Sequence, residues 1–223
     1  MKVGIVRFPG SNCDFDTLNY FRKIGHSPEF IWHKNTRILN WDLLVLPGGF
    51  AFGDRVYIKA THSYTIDPGV MALESPVIKI VRYYAKKGRP ILGICNGFQI
   101  LVKAGLLPGK LEQNHSKQFF CDFTTCKVVG RSFFGDKSML GKSCNIPVAH
   151  GYGRYTVSQK EFNILERNGQ IFLKYVGPNP NGSFRDIAGV CNGEGNIFGL
   201  MPHPERSPDG KFFMKALEKY VGR

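Results

Sequence analysis

Long hydrophobic runs are missing from this chain of 223 residues. No apolar stretch approaches the ~18 residues that a membrane-spanning helix needs. The opening Met1-Lys2-Val3-Gly4-Ile5-Val6 enters a strand pattern directly, without the charged and apolar regions of a secretory leader. The expectation is a cytoplasmic protein without membrane contact. Acidic residues are scarce as well: 17 Asp and Glu stand against 30 Lys and Arg, a net charge of +13. Such an imbalance raises nucleic-acid binding as a function. No block of five like charges and no nucleic-acid-binding motif accompanies it. Lys79, Arg82, Lys86, Lys87 and Arg89 lie around one helix, and Lys110, Lys117, Lys127, Arg131, Lys137 and Lys142 fall singly. A solvated basic surface, or one that faces an acidic partner subunit, is the better reading, with no nucleic acid.

Paired cysteine spacing is also absent. Cysteines 13, 95, 121, 126, 144 and 191 form no C-x-x-C pair and have no His-rich spacing, so no metal site is indicated. Five of the six are expected to be reduced and inert. Phosphate-binding loops are lacking too. In Gly130-Arg131-Ser132-Phe133-Phe134-Gly135-Asp136-Lys137-Ser138 an Asp separates glycine from lysine, Gly141-Lys142-Ser143 has no glycine five positions earlier, and there is no GxGxxG. The chain is expected to bind no nucleotide and to carry no cofactor. Repeats and low-complexity tracts are absent, and the length suits one domain.

What is present is a series of short apolar runs alternating with helical patterns. Strands are expected at 3–8, 28–33, 42–46 and just before Cys95, with helices reaching Lys23, spanning 77–87 and following Cys95. Residues 51–76 have no clear period and read as a long loop that walls a pocket. The alternation of Phe119, Cys121 and Phe123 with Asp122 and Thr124 predicts a half-exposed antiparallel strand over 119–129. Further strands fit 144–149, 154–158, 170–176 and 184–191. An amphipathic helix carrying Phe212, Phe213, Leu217 and Tyr220 runs over 209–220. The fold class is therefore α/β: an open, mostly parallel, doubly wound (flavodoxin-like) sheet with helices on both faces and added antiparallel strands in the second half.

Three strand ends carry chemistry. Pro90-Ile91-Leu92-Gly93-Ile94-Cys95-Asn96-Gly97-Phe98-Gln99 reads as strand, sharp turn, helix, with glycines bracketing Cys95 in a G-x-C-x-G elbow. At a helix N-terminus the thiolate is favoured, and the thiolate is the nucleophile. Asn196-Ile197-Phe198-Gly199-Leu200-Met201-Pro202-His203-Pro204-Glu205-Arg206 ends another strand in His-x-Glu. Prolines around His203 favour extended backbone, in which His203 and Glu205 share a side, so Glu205 can orient the imidazole that serves Cys95. Asp42-Leu43-Leu44-Val45-Leu46-Pro47-Gly48-Gly49-Phe50 supplies a glycine turn for oxyanion donors. In an open α/β sheet such ends converge on one crevice.

These three segments together resemble the class I, or triad, glutamine amidotransferases. Phe8-Pro9-Gly10-Ser11-Asn12-Cys13-Asp14, Leu106-Leu107-Pro108-Gly109, Ile146-Pro147-Val148-Ala149-His150-Gly151 and Asn179-Pro180-Asn181-Gly182-Ser183 are similar to the glutaminase subunits of phosphoribosylformylglycinamidine synthase, a purine-biosynthesis enzyme. The resemblance spans residues 3–206 and implies a single amidotransferase domain over residues 1–223. It implies hydrolysis of L-glutamine to glutamate and ammonia, with Cys95 as nucleophile, His203 as base and Glu205 as its orienter. The backbone N–H groups of Gly49 and Asn96 would hold the oxyanion, and Gln99 either binds substrate or packs in its helix. The implied partners are a synthetase subunit that uses ATP and Mg and a small third subunit. The family usually has glutamate where this chain has Tyr152, and His150 receives no catalytic role. A stand-alone cysteine hydrolase or peptidase of the same fold, the glutaminase subunit of another amidotransferase, and a non-catalytic docking subunit are the alternatives.

Overall fold

A computed structural model describes residues 1–50, 72–130 and 137–210 and, beyond them, Phe213, Ala216, Lys219 and Tyr220. Most of the expected pocket wall over 51–76, most of the rejected phosphate loop and much of the expected C-terminal helix lie outside the described residues. Phe213, Ala216, Lys219 and Tyr220 are helical, and Phe213 and Ala216 are fully buried.

A nine-stranded sheet forms the centre, in the order β2-β1-β3-β4-β11-β10-β9-β6-β7. Its first half consists of β1 (Lys2–Arg7), β2 (Ser27–Trp32), β3 (Leu43–Leu46), β4 (Ile91–Ile94) and β11 (Ile197–Leu200), all parallel. Every residue of β3, β4 and β11 is buried, which is why these strands read as unbroken apolar runs instead of alternating ones. The steps β1 to β2 and β3 to β4 run in opposite directions across the sheet. Right-handed crossovers therefore place α1 (Asp14–Lys23) and α2 (Val77–Lys86) on opposite faces. The point where the direction reverses, between β1 and β3, is where α/β sheets open a crevice.

α3 (Asn96–Lys103) follows β4 and packs on β3, β4 and β11. It buries Phe98, Ile100 and Leu101, each contributing roughly 1.5–3 kcal/mol. Gly97 lets its first turn approach so closely that a Cβ there would stand 1.9 Å from the Leu46 carbonyl oxygen.

The second half is antiparallel: β10 (Ile187–Cys191), β9 (Ile171–Val176), β6 (Phe120–Val128) and β7 (Ser143–His150). β5 (Lys110–Glu112) and β8 (Arg154–Thr156) make a separate ribbon. β6 forms where its alternation predicts, but Thr124, Cys126 and Val128 face the core while Phe119 and Phe123 are exposed. A helix that the pattern reading leaves out, α4 (Gln159–Arg167), starts in a complete Ser158–Glu161 capping box.

Candidate active site

The register brings the three chemical segments together. Leu46 lies beside Gly93 and Ile94 beside Leu200, so the turns after β3, β4 and β11 open at one end of the sheet. The Cys95 N–H donates to the Leu200 carbonyl at 2.8 Å, tying the nucleophile position to the strand that leads to His203. Cys95 is buried and sits at φ 48°, ψ −104°. A non-glycine residue costs on the order of 1–3 kcal/mol in that region, strain of the kind that marks a nucleophile elbow.

His203 and Glu205 meet at 2.7 Å between Nδ1 and Oε1, both side chains almost wholly buried. The pair does not form across an extended strand, as the flanking prolines suggest. Pro204–Arg206 is a 3₁₀ turn with Pro204 at its first position, where the ring's fixed φ suits helical backbone, and His203 precedes it at φ −105°, ψ 82°. The carboxylate accepts a hydrogen bond from Nδ1–H, which leaves the Nε2 lone pair available. Nε2 is buried with no hydrogen-bond partner among the described residues. The Cys95 S–H instead points at the Ala149 carbonyl, 3.7 Å away.

The glycine turn packs against His203. A Cβ on Gly48 would stand 2.6 Å from His203 Cε1 and 3.2 Å from Cys13 Sγ, so the bare backbone seats the imidazole. Gly49, at φ +143°, adopts a conformation open only to glycine, and a Cβ on it would meet the backbone of residues 10–12 at 2.6–2.8 Å. The Phe50 N–H donates to Gly10 and the Cys13 N–H to Gly48, which locks the loop after β1 onto this turn. Cys13 has its thiol pushed up to about 12 by burial, the Arg206 guanidinium acting against that rise. Arg206 reaches Cys13 Sγ at 3.1 Å and Asp16 at 2.5 and 2.8 Å, pinning the turn after His203 to α1.

Asn96 begins α3 beside Cys95, and its side-chain amide donates to Gln99 Oε1 at 2.9 Å. Gln99 Nε2 donates to the Tyr152 carbonyl at 2.9 Å, so both ends of the Gln99 amide are engaged within the protein. Sequence reasoning missed the contribution of β7. Its carbonyls touch Cys95 and His203, yet a backbone contact leaves no side-chain signature. Among the described residues no cluster of three His, Cys, Asp or Glu side chains is arranged to hold a metal.

A family profile described as the CobB/CobQ-like glutamine amidotransferase domain matches residues 1–216. The chain belongs to that family. Amidotransferase relatives extend over its whole length. A phosphoribosylformylglycinamidine synthase subunit PurQ of Trichormus variabilis is 41% identical, covering 99% of each chain. The PurQ of Wolinella succinogenes is 44% identical over 93% of this chain and 91% of its own. In the structure of PurLQS from Thermotoga maritima, one chain superposes with a TM-score of 0.84 at 34% identity, covering 99% of this chain and 98% of that one. A glutamine amidotransferase of the same organism shares the fold at 17% identity, with a TM-score of 0.59 over 100% of this chain and 82% of that one.

Proposed function

We propose that this chain is the glutaminase subunit of phosphoribosylformylglycinamidine synthase, a single amidotransferase domain over residues 1–223 that works in the cytoplasm. It hydrolyses L-glutamine to glutamate and ammonia and hands the ammonia to a PurL-type synthetase subunit, with a small PurS-type third subunit. ATP and Mg are used on the synthetase, which makes formylglycinamidine ribonucleotide. The observation that carries this reading is a Cys, His and Glu set gathered at one sheet end, in a chain related to PurQ proteins from end to end.

In this reading the Cys95 thiol turns to His203 Nε2, gives up its proton and attacks the side-chain amide carbon of glutamine. The N–H groups of Gly49 and Asn96 hold the developing oxyanion, each donor being worth about 3 kcal/mol of barrier in comparable sites. His203 returns the proton to the leaving ammonia and then draws one from water, which opens the γ-glutamyl thioester. Glu205 keeps His203 in the Nδ1–H form throughout. For Gln99, the two internal hydrogen bonds favour packing α3 against residues 150–153 over contact with substrate.

The test is ammonia release from glutamine by the chain mixed with its synthetase, and by the Cys95→Ala variant. Glutamine turnover should vanish in the variant while synthesis from added ammonia persists. Loss of both would make Cys95 structural, and full turnover without any synthetase would favour a stand-alone hydrolase.

A further inference from the structure

Two segments that enter the sequence analysis only by resemblance, Ile146–Gly151 and Asn179–Ser183, meet in space beside the triad. β7 is the last strand of the sheet, and three residues along its outer edge, Asn145, Pro147 and Ala149, have partners there. Asn145 receives the Ser207 hydroxyl on its carbonyl at 2.8 Å and gives its N–H to Asp209 at 2.9 Å. The Pro147 carbonyl accepts the His203 N–H at 2.8 Å, and the Ala149 carbonyl lies 3.7 Å from the Cys95 thiol. Positions 145, 147 and 149 share one edge by the two-residue strand period. The base and the nucleophile therefore rest on neighbouring carbonyls of one strand.

His150 closes that strand and is fully buried. Asn114 Nδ2 donates to the His150 and Gln118 carbonyls, so Asn114 Oδ1 is left as the acceptor for the His150 Nδ1–H at 3.1 Å. Oδ1 also accepts the Gly153 N–H at 3.0 Å. Asn181 Nδ2 faces His150 Nε2 at 3.4 Å and donates to the Gly153 carbonyl and the Tyr175 hydroxyl. The chain then folds over the ring, where a Cβ on Gly153 would stand 2.3 Å from His150 Cε1. These contacts suit the neutral ring with hydrogen on Nδ1: Nδ1–H donates to Asn114, and the bare Nε2 faces the Asn181 amide, whose two hydrogens are shared among Nε2, the Gly153 carbonyl and the Tyr175 hydroxyl. Burial, aided by the nearby His203, holds the ring neutral by lowering its pKa to about 3.

We propose that His150 is a positioning residue of the glutaminase centre. Clamped between Asn114 and Asn181, it sets the outer edge of β7 on which His203 and the Cys95 thiol rest. This rests on the glutaminase reading above. A shift of about 1 Å in that edge would move nucleophile and base relative to each other, a displacement that costs on the order of 10²-fold in comparable sites. Substrate binding would be little affected, since no part of this clamp offers groups to glutamine. A neutral ring also leaves His203 free to become cationic during catalysis without a like charge beside it.

The experiment compares His150→Leu, which removes both ring contacts, with His150→Asn, whose amide can still donate to Asn114. Both are measured in the complex with the synthetase. For His150→Leu, kcat with glutamine should fall at least tenfold while KM stays within about twofold, and Cys95 should be alkylated more slowly. His150→Asn should recover most of the loss, and synthesis from added ammonia should be unchanged in both. Unchanged kcat and alkylation in folded His150→Leu, or a raised KM at constant kcat, would overturn the proposal. If His150→Leu does not fold, Asn181→Ala loosens the clamp from the other side and is judged by the same criteria. A wild-type complex without glutaminase activity would overturn the functional reading instead. The alkylation rate, which needs no glutamine, would still decide the role of His150.

Discussion

Gly48 lies flat against the ring of His203: a methyl group on its α-carbon would stand 2.6 Å from Cε1. No real contact is that short, and His203 is already tied through Nδ1 to Glu205, so the methyl group must displace the imidazole. Gly48→Ala is therefore expected to reduce glutamine turnover by about 10²-fold with ammonia-dependent synthesis intact, as measured side by side in the assembled complex. Near wild-type turnover would mean that the imidazole seat is softer than its burial implies.

Cys95→Ala and His203→Ala are expected to be nearly equivalent, and the double variant little worse than either, because the two act as one proton-transfer unit. Glu205→Gln should cost less, since it weakens the orientation of His203 without removing the base. Steady-state kinetics with glutamine check this ordering. A Glu205→Gln defect as large as that of Cys95→Ala would give Glu205 more than an orienting role.

Thiol labelling should follow exposure as well as reactivity. Cys121 lies exposed on β6, contrary to the expectation that Cys95 alone stands apart from five inert thiols. Cys13 and Cys144 are buried, with pKa values pushed up to about 12 by burial, and Cys126 is pushed higher still. In a Cys121→Ser background, iodoacetamide should modify Cys95 first, and glutamine should protect it. Mass spectrometry of timed samples would show whether Cys13, Cys126 or Cys144 reacts as fast, which would count against an activated nucleophile.

The depressed pKa of His150 makes stability depend on pH. Burial lowers it to about 3 from the ordinary 6.5, so between those limits the unfolded chain binds a proton that the folded chain does not. The group leaves stability intact above pH 6.5 and erodes it as pH falls toward 3, by at most about 1.4 kcal/mol per pH unit. Denaturant titrations of wild type and His150→Asn from pH 7 to 4 should show the steeper loss in wild type. Parallel curves would mean that the ring gains a proton without unfolding.

The isolated chain is expected to be a poor glutaminase, because ammonia released without an acceptor is wasted and a two-chain system gains from an active site completed only on assembly. Docking on the synthetase should raise turnover. With Lys79, Arg82, Lys86 and Lys87 all exposed on or just after α2, association with an acidic face should weaken as salt shortens the reach of charge below ~10 Å. Glutamine turnover titrated with synthetase at low and high salt tests both parts. Full turnover by the lone chain, indifferent to salt, would refute them.

The parallel half of the fold and the positions of Cys95, His203 and Glu205 were legible because buried strands are short apolar runs and each reactive residue ends one. The His203–Glu205 contact was legible while its backbone was not, since Pro204 is compatible with an extended chain and with the first position of a helical turn. Alternation in β6 marked a strand without saying which face is covered, so the outward Phe123 came from the structure. α4 was missed although Ser158 and Glu161 stand at capping-box spacing, because only Phe162 and Leu165 in it are buried and its apolar period is weak. The role of β7 had no sequence signal, as its contacts are made by carbonyl groups that every residue has.

The row of contacts along β7 has a consequence for solubility. The last strand of a sheet offers unpaired backbone groups on which a second molecule can add a strand, and proteins must blunt that edge. Here Pro147 presents no N–H on the outward side, the Asn145 N–H and carbonyl are engaged by Asp209 and Ser207, and the Pro147 and Ala149 carbonyls by the His203 N–H and the Cys95 thiol. The segment that carries His203 thus also covers one of the two edge strands of the sheet, β2 being the other. Variants that loosen residues 203–209 should then lose more than turnover: they should self-associate through β7, at protein concentrations where the wild type stays dispersed.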